Sequence, residues 1–167
     1  EEGGPFKDLF DFCQRCDKRM VNRRTIEALI RAGAFDSIAP QAGGEPDRYR
    51  LLASTGVAMD FAEQAERNAM QTSLFDMADV ADEHAPEYVA VRPWDEKTRL
   101  MEEKTALGFF FSGHPYNSRK KELSRFIRRP LNRLEPAKEF THIAGIVVGI
   151  RTQMTRRGKM LFVQIDD

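Results

Sequence analysis

With 167 residues the chain has room for one or two ordinary domains. Apolar residues make up 41% of it and charged residues 31%, which excludes a disordered tail, and the longest apolar runs, 108–111 and 143–150, are far too short to span a bilayer. The formal net charge is zero, but the charge is segregated into basic and acidic stretches, so patches that face phosphate are permitted on a neutral chain.

The chain opens Glu1-Glu2-Gly3-Gly4-Pro5, with neither an initiating Met nor a signal peptide, and reads as a fragment of something longer. Pro5 is placed to start a first helix, on which Phe6, Leu9, Phe10 and Cys13 recur at helical spacing. Cys13 and Cys16 form a single C-x-x-C. Without a second Cys pair or a nearby His this predicts burial on one helix face rather than a zinc site, and reduced thiols fit a cytoplasmic protein. Five basic residues stand against Asp17 between Arg15 and Arg24. A second helix is predicted from the N-cap Asn22, with Val21 and Ile26 as a hydrophobic staple, Ile26, Leu29 and Ile30 as its buried stripe and Gly33 as its stop. The stretch 39–47, with two Pro and two Gly, reads as a loop.

A third helix is expected from about Asp47 to Ala69, with Leu51, Leu52, Val57, Met59 and Phe61 as apolar surface. After it come Gln71-Thr72-Ser73-Leu74-Phe75 and an acidic stretch containing Asp76, Asp79, Asp82, Glu83 and Glu87. In the pentapeptide the Gln amide can fix register by hydrogen bonding, and Leu and Phe supply an apolar anchor for a pocket on another protein. The competing reading is a helix end whose Leu74 and Phe75 tuck into their own domain. The chain reads helical again from Trp94, with Leu100, Leu107 and Phe111 on one face and Gly113-His114-Pro115 as the stop. Asn117 can cap a further helix through Arg128, and the 117–133 stretch carries seven basic residues against Glu122. From Ile143 to Ile150 the period changes to two, with Ala144, Ile146, Val148 and Ile150 on one face. Thr155-Arg156-Arg157-Gly158-Lys159 reads as a hairpin turn and 160–165 as the returning strand. Two strands make no stable sheet alone, so a β-domain cut short is expected.

No nucleophile–base pair, phosphate-cradling glycine loop or metal cluster is visible. His114, between Gly113 and Pro115, reads as a turn residue, and the adjacent pairs Glu102-Glu103 and Asp166-Asp167 point apart.

The pentapeptide resembles the sliding-clamp-binding peptide of bacterial replication and repair proteins. With the block from Val21 to Asp36, the block from Ala106 to Pro115 and the strands from Ile143 to Asp167, it makes the chain resemble the C-terminal half of the alpha subunit of bacterial DNA polymerase III, the C-family replicative polymerases. The resemblance implies a mainly α fold, a helix-hairpin-helix-type helical domain and helical linker, followed by the first two strands of a truncated OB-type β-barrel. It divides the chain into a helix-hairpin-helix and clamp-binding domain at 1–80, an acidic linker and helical connector at 81–139, and incomplete OB strands at 140–167. It implies a DNA-directed DNA polymerase as parent, with magnesium in a palm upstream, and a segment here without catalytic residues or cofactor, inactive alone. The implied partners are the sliding clamp, double- and single-stranded DNA and other polymerase III holoenzyme subunits, with no membrane.

By the same resemblance Gln71, Ser73, Leu74 and Phe75 bind the clamp, Asn22, Arg23, Arg24, Arg31 and Gly33 face duplex phosphate, and Arg151, Arg156, Arg157 and Lys159 face single strands. Only Phe162 is available for base stacking. A glycine-tightened turn between helices can offer backbone N–H groups to a phosphate, although the hairpin lacks a second glycine and a purely structural turn competes. The rivals are the error-prone C-family polymerase and a stand-alone nucleic-acid-binding adaptor with a helical hairpin and an OB domain.

Overall fold

The computed structural model describes residues 3–42, 44–75, 86–156 and 158–167, with the backbone alone at 42 and 71–75. The described residues form five helices, two short antiparallel sheets and a 3₁₀ turn, in two compact units, 1–109 and 110–167. The protein is mainly helical with a small sheet.

In the first unit α1 spans Leu9–Arg15 and α2 spans Arg23–Ala32. The first helix starts later than Pro5, because Asp8, in extended conformation, accepts the N–H of Asp11 at 2.8 Å and so caps the helix there. Asp11 answers by accepting the Lys7 N–H at 3.0 Å, and that bond is the main reason its carboxyl is held below the ordinary range. The second helix begins and ends where its local signals place it. Asn22 Oδ1 accepts the Thr25 N–H at 3.0 Å, Ile26 and Ile30 are buried, and Gly33 closes the helix in the left-handed region at φ 87°.

The 39–47 loop contains a small ladder, β1 at Gln41–Ala42 paired with β2 at Glu45–Pro46. A long third helix, α3, then runs Arg48–Phe75, past the expected end at Ala69. Nothing between Ala69 and Phe75 is Gly or Pro, and Met, Gln and Leu are good helix formers, so the backbone has no local reason to stop. Its buried positions Leu51, Ala58 and Ala62 meet Leu9, Phe10, Phe12 and Cys13 from α1 and Ile26 and Ile30 from α2. Phe12 joins Phe6 and Phe35 edge to face at 5.0 and 4.8 Å, and Phe10 meets Phe61 at 5.9 Å. Tyr88 leans on Phe10 at 5.1 Å and its hydroxyl accepts the Leu9 N–H at 3.3 Å.

The fourth helix, α4, covers Glu96–Leu107 behind the cap Asp95. It stops at Gly108, φ 85°, whose N–H donates to Lys104 O at 2.8 Å, and not at 113–115. Leu100 is buried, whereas Leu107 is half-exposed and Phe111 is exposed beyond the end, so the three do not form one buried face.

Cys13 is buried and Cys16, the C-cap of α1, half-buried. Burial pushes the Cys13 thiol up to about 11. Iodoacetamide at pH about 8 is therefore expected to label Cys16 first in the native protein and Cys13 only on unfolding, as read by peptide mass mapping. Preferential labelling of Cys13 would contradict this packing.

In the second unit α5 is short, Asn117–Leu123, and ends well before Arg128. It buries no residue, and the Ser124 hydroxyl donates to Lys121 O at 2.8 Å, competing with helix continuation. A 3₁₀ turn follows at Leu131–Arg133. The last two strands are β3, Ile146–Thr155, and β4, Gly158–Asp166, antiparallel, with Thr155 opposite Gly158 within the stretch expected to turn, 155–159. A bulge between Val147 and Gly149 leaves Val148 as the extra residue. It corrects the expected alternation, since Ile146 and Ile150 now lie on opposite faces. Val147, Ile150, Val163 and Leu161 gather on one face, Arg151 and Phe162 on the other. His114 is the turn residue expected: its Nδ1 accepts the Tyr116 N–H at 3.2 Å and its ring meets Phe110 at 4.9 Å.

No helix among the described residues is long and apolar enough to cross a membrane.

Candidate nucleic-acid interface

The start of α2 is the basic surface singled out for duplex DNA. Asn22 uses its side chain as cap, which serves the N–H of Thr25 and leaves the amides of the first turn at Arg23 and Arg24 for solvent or an anion. Arg24 is exposed and has no carboxylate partner among the described residues. Arg23 is also exposed, with its Nε on Glu27 at 2.8 Å, and this bond holds the Glu27 carboxyl below its ordinary range. With its arginine in solvent, a pair of that kind contributes little, and the guanidinium is easily exchanged onto a phosphate.

Arg31 and Gly33 sit differently. Arg31 Nε donates to Glu102 at 2.7 Å, and its Nη1 lies 3.5 Å from Glu27, so its charge is already compensated. The Gly33 N–H donates back to Ile30 O and Leu29 O, and the Ala34 N–H donates to Leu29 O at 2.9 Å. A Cβ on Gly33 would meet the Arg48 guanidinium at 2.4 Å. The close approach that Gly33 permits is thus to the protein's own ion cluster.

That cluster is the feature the sequence reading missed. Arg48 Nη1 donates to Glu103 at 2.9 Å, its Nε donates to Asp36 at 2.6 Å, and its second terminal nitrogen bonds the other Asp36 oxygen. Glu103 is 0% exposed and the Arg48 side chain 9%. One guanidinium therefore joins the turn after α2, the start of α3 and the middle of α4. The available signal was the adjacent pair Glu102-Glu103, which does diverge: one carboxylate goes to Arg31 and the other to Arg48.

The backbone of Gln71, Ser73, Leu74 and Phe75 forms the last turn of α3, and their side chains lie outside the described residues, as do 76–85. On the ribbon Arg151, Arg156 and Lys159 are exposed, and Arg157 lies outside the described residues. The Arg151 guanidinium stands 5.2 Å from the centre of the half-exposed Phe162 ring, giving a cation and an aromatic on one face. Lys159, opposite Met154, falls on the other face, so the strands do not bring Arg151 and Lys159 together. Among the described residues no group of three His, Cys, Asp or Glu side chains is placed to hold a metal.

A helix-hairpin-helix motif matches residues 1–43, which contain α1, α2 and the turn at Gly33. The whole chain is 44% identical over 167 residues to the DNA polymerase III subunit alpha of Neisseria meningitidis serogroup B, covering 100% of this chain and 14% of that protein. It fits a fragment of a DNA polymerase III alpha subunit. The alpha subunit of Pseudomonas aeruginosa is 39% identical over 180 residues, and that of Escherichia coli 34% over 174, each aligned with 99% of this chain and with 15% and 14% of its own length. The chain thus spans about one seventh of the relatives it matches.

Proposed function

We propose that this segment serves DNA replication as a non-catalytic part of a replicative polymerase alpha subunit, holding duplex DNA without reading its sequence and docking to the sliding clamp. The observation that carries this reading is similarity over the full chain, at 34–44% identity, to proteins named DNA polymerase III subunit alpha. In this reading the parent is a DNA-directed DNA polymerase of the bacterial cytoplasm, working with other holoenzyme subunits, and the segment alone is inactive. The chain divides into the clamp-binding helical domain at 1–80, a connector at 81–139 and the opening strands of an OB-type barrel at 140–167.

Arg23 and Arg24 make the duplex phosphate contact beside the first-turn amides that Asn22 leaves open, and Arg31 and Gly33 hold the helix end behind them. Contact of this kind is indifferent to sequence and sensitive to salt. Arg151, Arg156, Arg157 and Lys159 supply charge for single strands, with Phe162 as the stacking surface.

Docking rests on Gln71, Ser73, Leu74 and Phe75. A peptide of this size binds at about micromolar strength, roughly −8 kcal/mol. That suffices when clamp and polymerase share one DNA, because tethering raises the effective concentration and a weak contact still releases. Titration of the purified chain with purified clamp tests the reading. Gln71→Ala, or Leu74→Ala with Phe75→Ala, is expected to abolish binding while the helical circular dichroism stays unchanged. Unaltered clamp affinity would refute it.

A further inference from the structure

We propose that the cleft between α5 and the Leu131–Arg133 turn binds the phosphodiester backbone of nucleic acid. The site involves none of the residues assigned above, and it rests on the reading that this chain works on DNA. Its cavity is about 410 Å³, within the range of small-ligand clefts, and Lys120, Arg128, Arg129 and Arg133 line it. One acid, Asp167, shares the lining, and its Oδ2 accepts the Leu131 N–H at 2.7 Å. Arg129 is paired with Glu135 at 2.8 Å. Lys120, Arg128 and Arg133 have no carboxylate partner among the described residues.

Three unpaired cations around one concavity hold counterions, and a polyanion that displaces them gains the entropy of their release. Lys121 and Arg125, also without a carboxylate partner among the described residues, add charge on the same segment. The rest of the lining favours nucleic acid over an acidic peptide: Ile127 and Pro130 offer apolar surface for sugar and base, and Asn132 offers an amide. Planar guanidiniums at Arg128 and Arg133 suit the two free oxygens of a phosphodiester.

The test is fluorescence anisotropy of the purified chain with labelled oligo(dT) and with a labelled duplex of mixed sequence, over a salt series. Arg128→Ala with Arg133→Ala is expected to weaken binding about tenfold or more at low salt. It should also flatten the slope of log affinity against log salt by about 1.4 for single strands or about 1.8 for duplex, two phosphate contacts' worth. The larger loss identifies which form the cleft takes. Both side chains are exposed, so the thermal midpoint should hold. A slope equal to wild type, or displacement of the oligonucleotide by polyglutamate at equal charge, would overturn the site. If Arg23→Ala with Arg24→Ala alone removes DNA binding, the cleft fails and the proposed function stands. If the wild-type chain binds neither probe, the cleft fails together with the proposed DNA contacts, and the clamp titration remains a separate measure of docking.

Discussion

Replacing Arg48 with alanine is expected to lower the stability of the helical unit by about 3–5 kcal/mol, because it breaks the buried ion pair with Glu103 and takes the guanidinium away from Asp36. Glu103 is fully buried, and Arg99 also lies within 3.9 Å of it. The loss should be read as a fall in the urea midpoint of the far-ultraviolet signal. Glu103→Ala should cost less, since Arg48 keeps both oxygens of Asp36. Joint replacement by Met at 48 and Leu at 103 should recover much of the loss, since an apolar pair of similar volume removes the desolvated charges together.

Gly33→Ala is expected to be nearly as harmful for so small a change. At φ 87° any L side chain costs about 1–2 kcal/mol. The new methyl would also lie 2.4 Å from Arg48 Nη2, 2.7 Å from its Cζ and 3.0 Å from Asp36 Oδ2. A free arginine end could swing aside, but this one is held by two carboxylates, so making room means lengthening their bonds. The clash and the ion cluster are one interaction, and their effects should not add. In an Arg48→Ala background Gly33→Ala should cost only the conformational part, about 1–2 kcal/mol. Additive losses in the double variant would separate the glycine from the cluster.

The elements that could be read in the sequence are those whose causes are local. Asn22, the Val21 and Ile26 pair, the Ile26, Leu29 and Ile30 stripe and Gly33 specify α2 within thirteen consecutive residues, and it appears with those ends. The hairpin turn was legible for the same reason, because Gly158 and its flanking polar residues act over a few positions. Where two local signals competed, the nearer won: Asp8 over Pro5 for the start of α1, Gly108 over Gly113-His114-Pro115 for the end of α4. The cluster at Arg48 was not legible, since Asp36, Arg48 and Glu103 lie up to 67 positions apart and nothing in their spacing links them. Nor was the docking of Tyr88 on Phe10, which joins residues 78 positions apart across a long acidic segment. The candidate site was partly legible. Its charged residues could be named from composition, but which of them were already spent on internal carboxylates depends on α4 packing beside α2.

The geometry of α3 gives the Arg48 cluster a consequence at long range. The helix has 28 residues, which at 1.5 Å each makes a rod of about 42 Å, and Ala62 is the last buried one among those whose side chains are described. Arg48 is its first residue, so the cluster grips the rod at the base and the pentapeptide rides at the tip. A tilt of about 10° at such a base displaces the far end by roughly 7 Å, more than the width of a side-chain pocket. Two carboxylates on one guanidinium therefore act as the mount of a pointer. In the clamp-docking reading proposed above, they set where the Gln-Thr-Ser-Leu-Phe end is aimed, and a substitution at the base misdirects it while leaving every residue of the peptide in place.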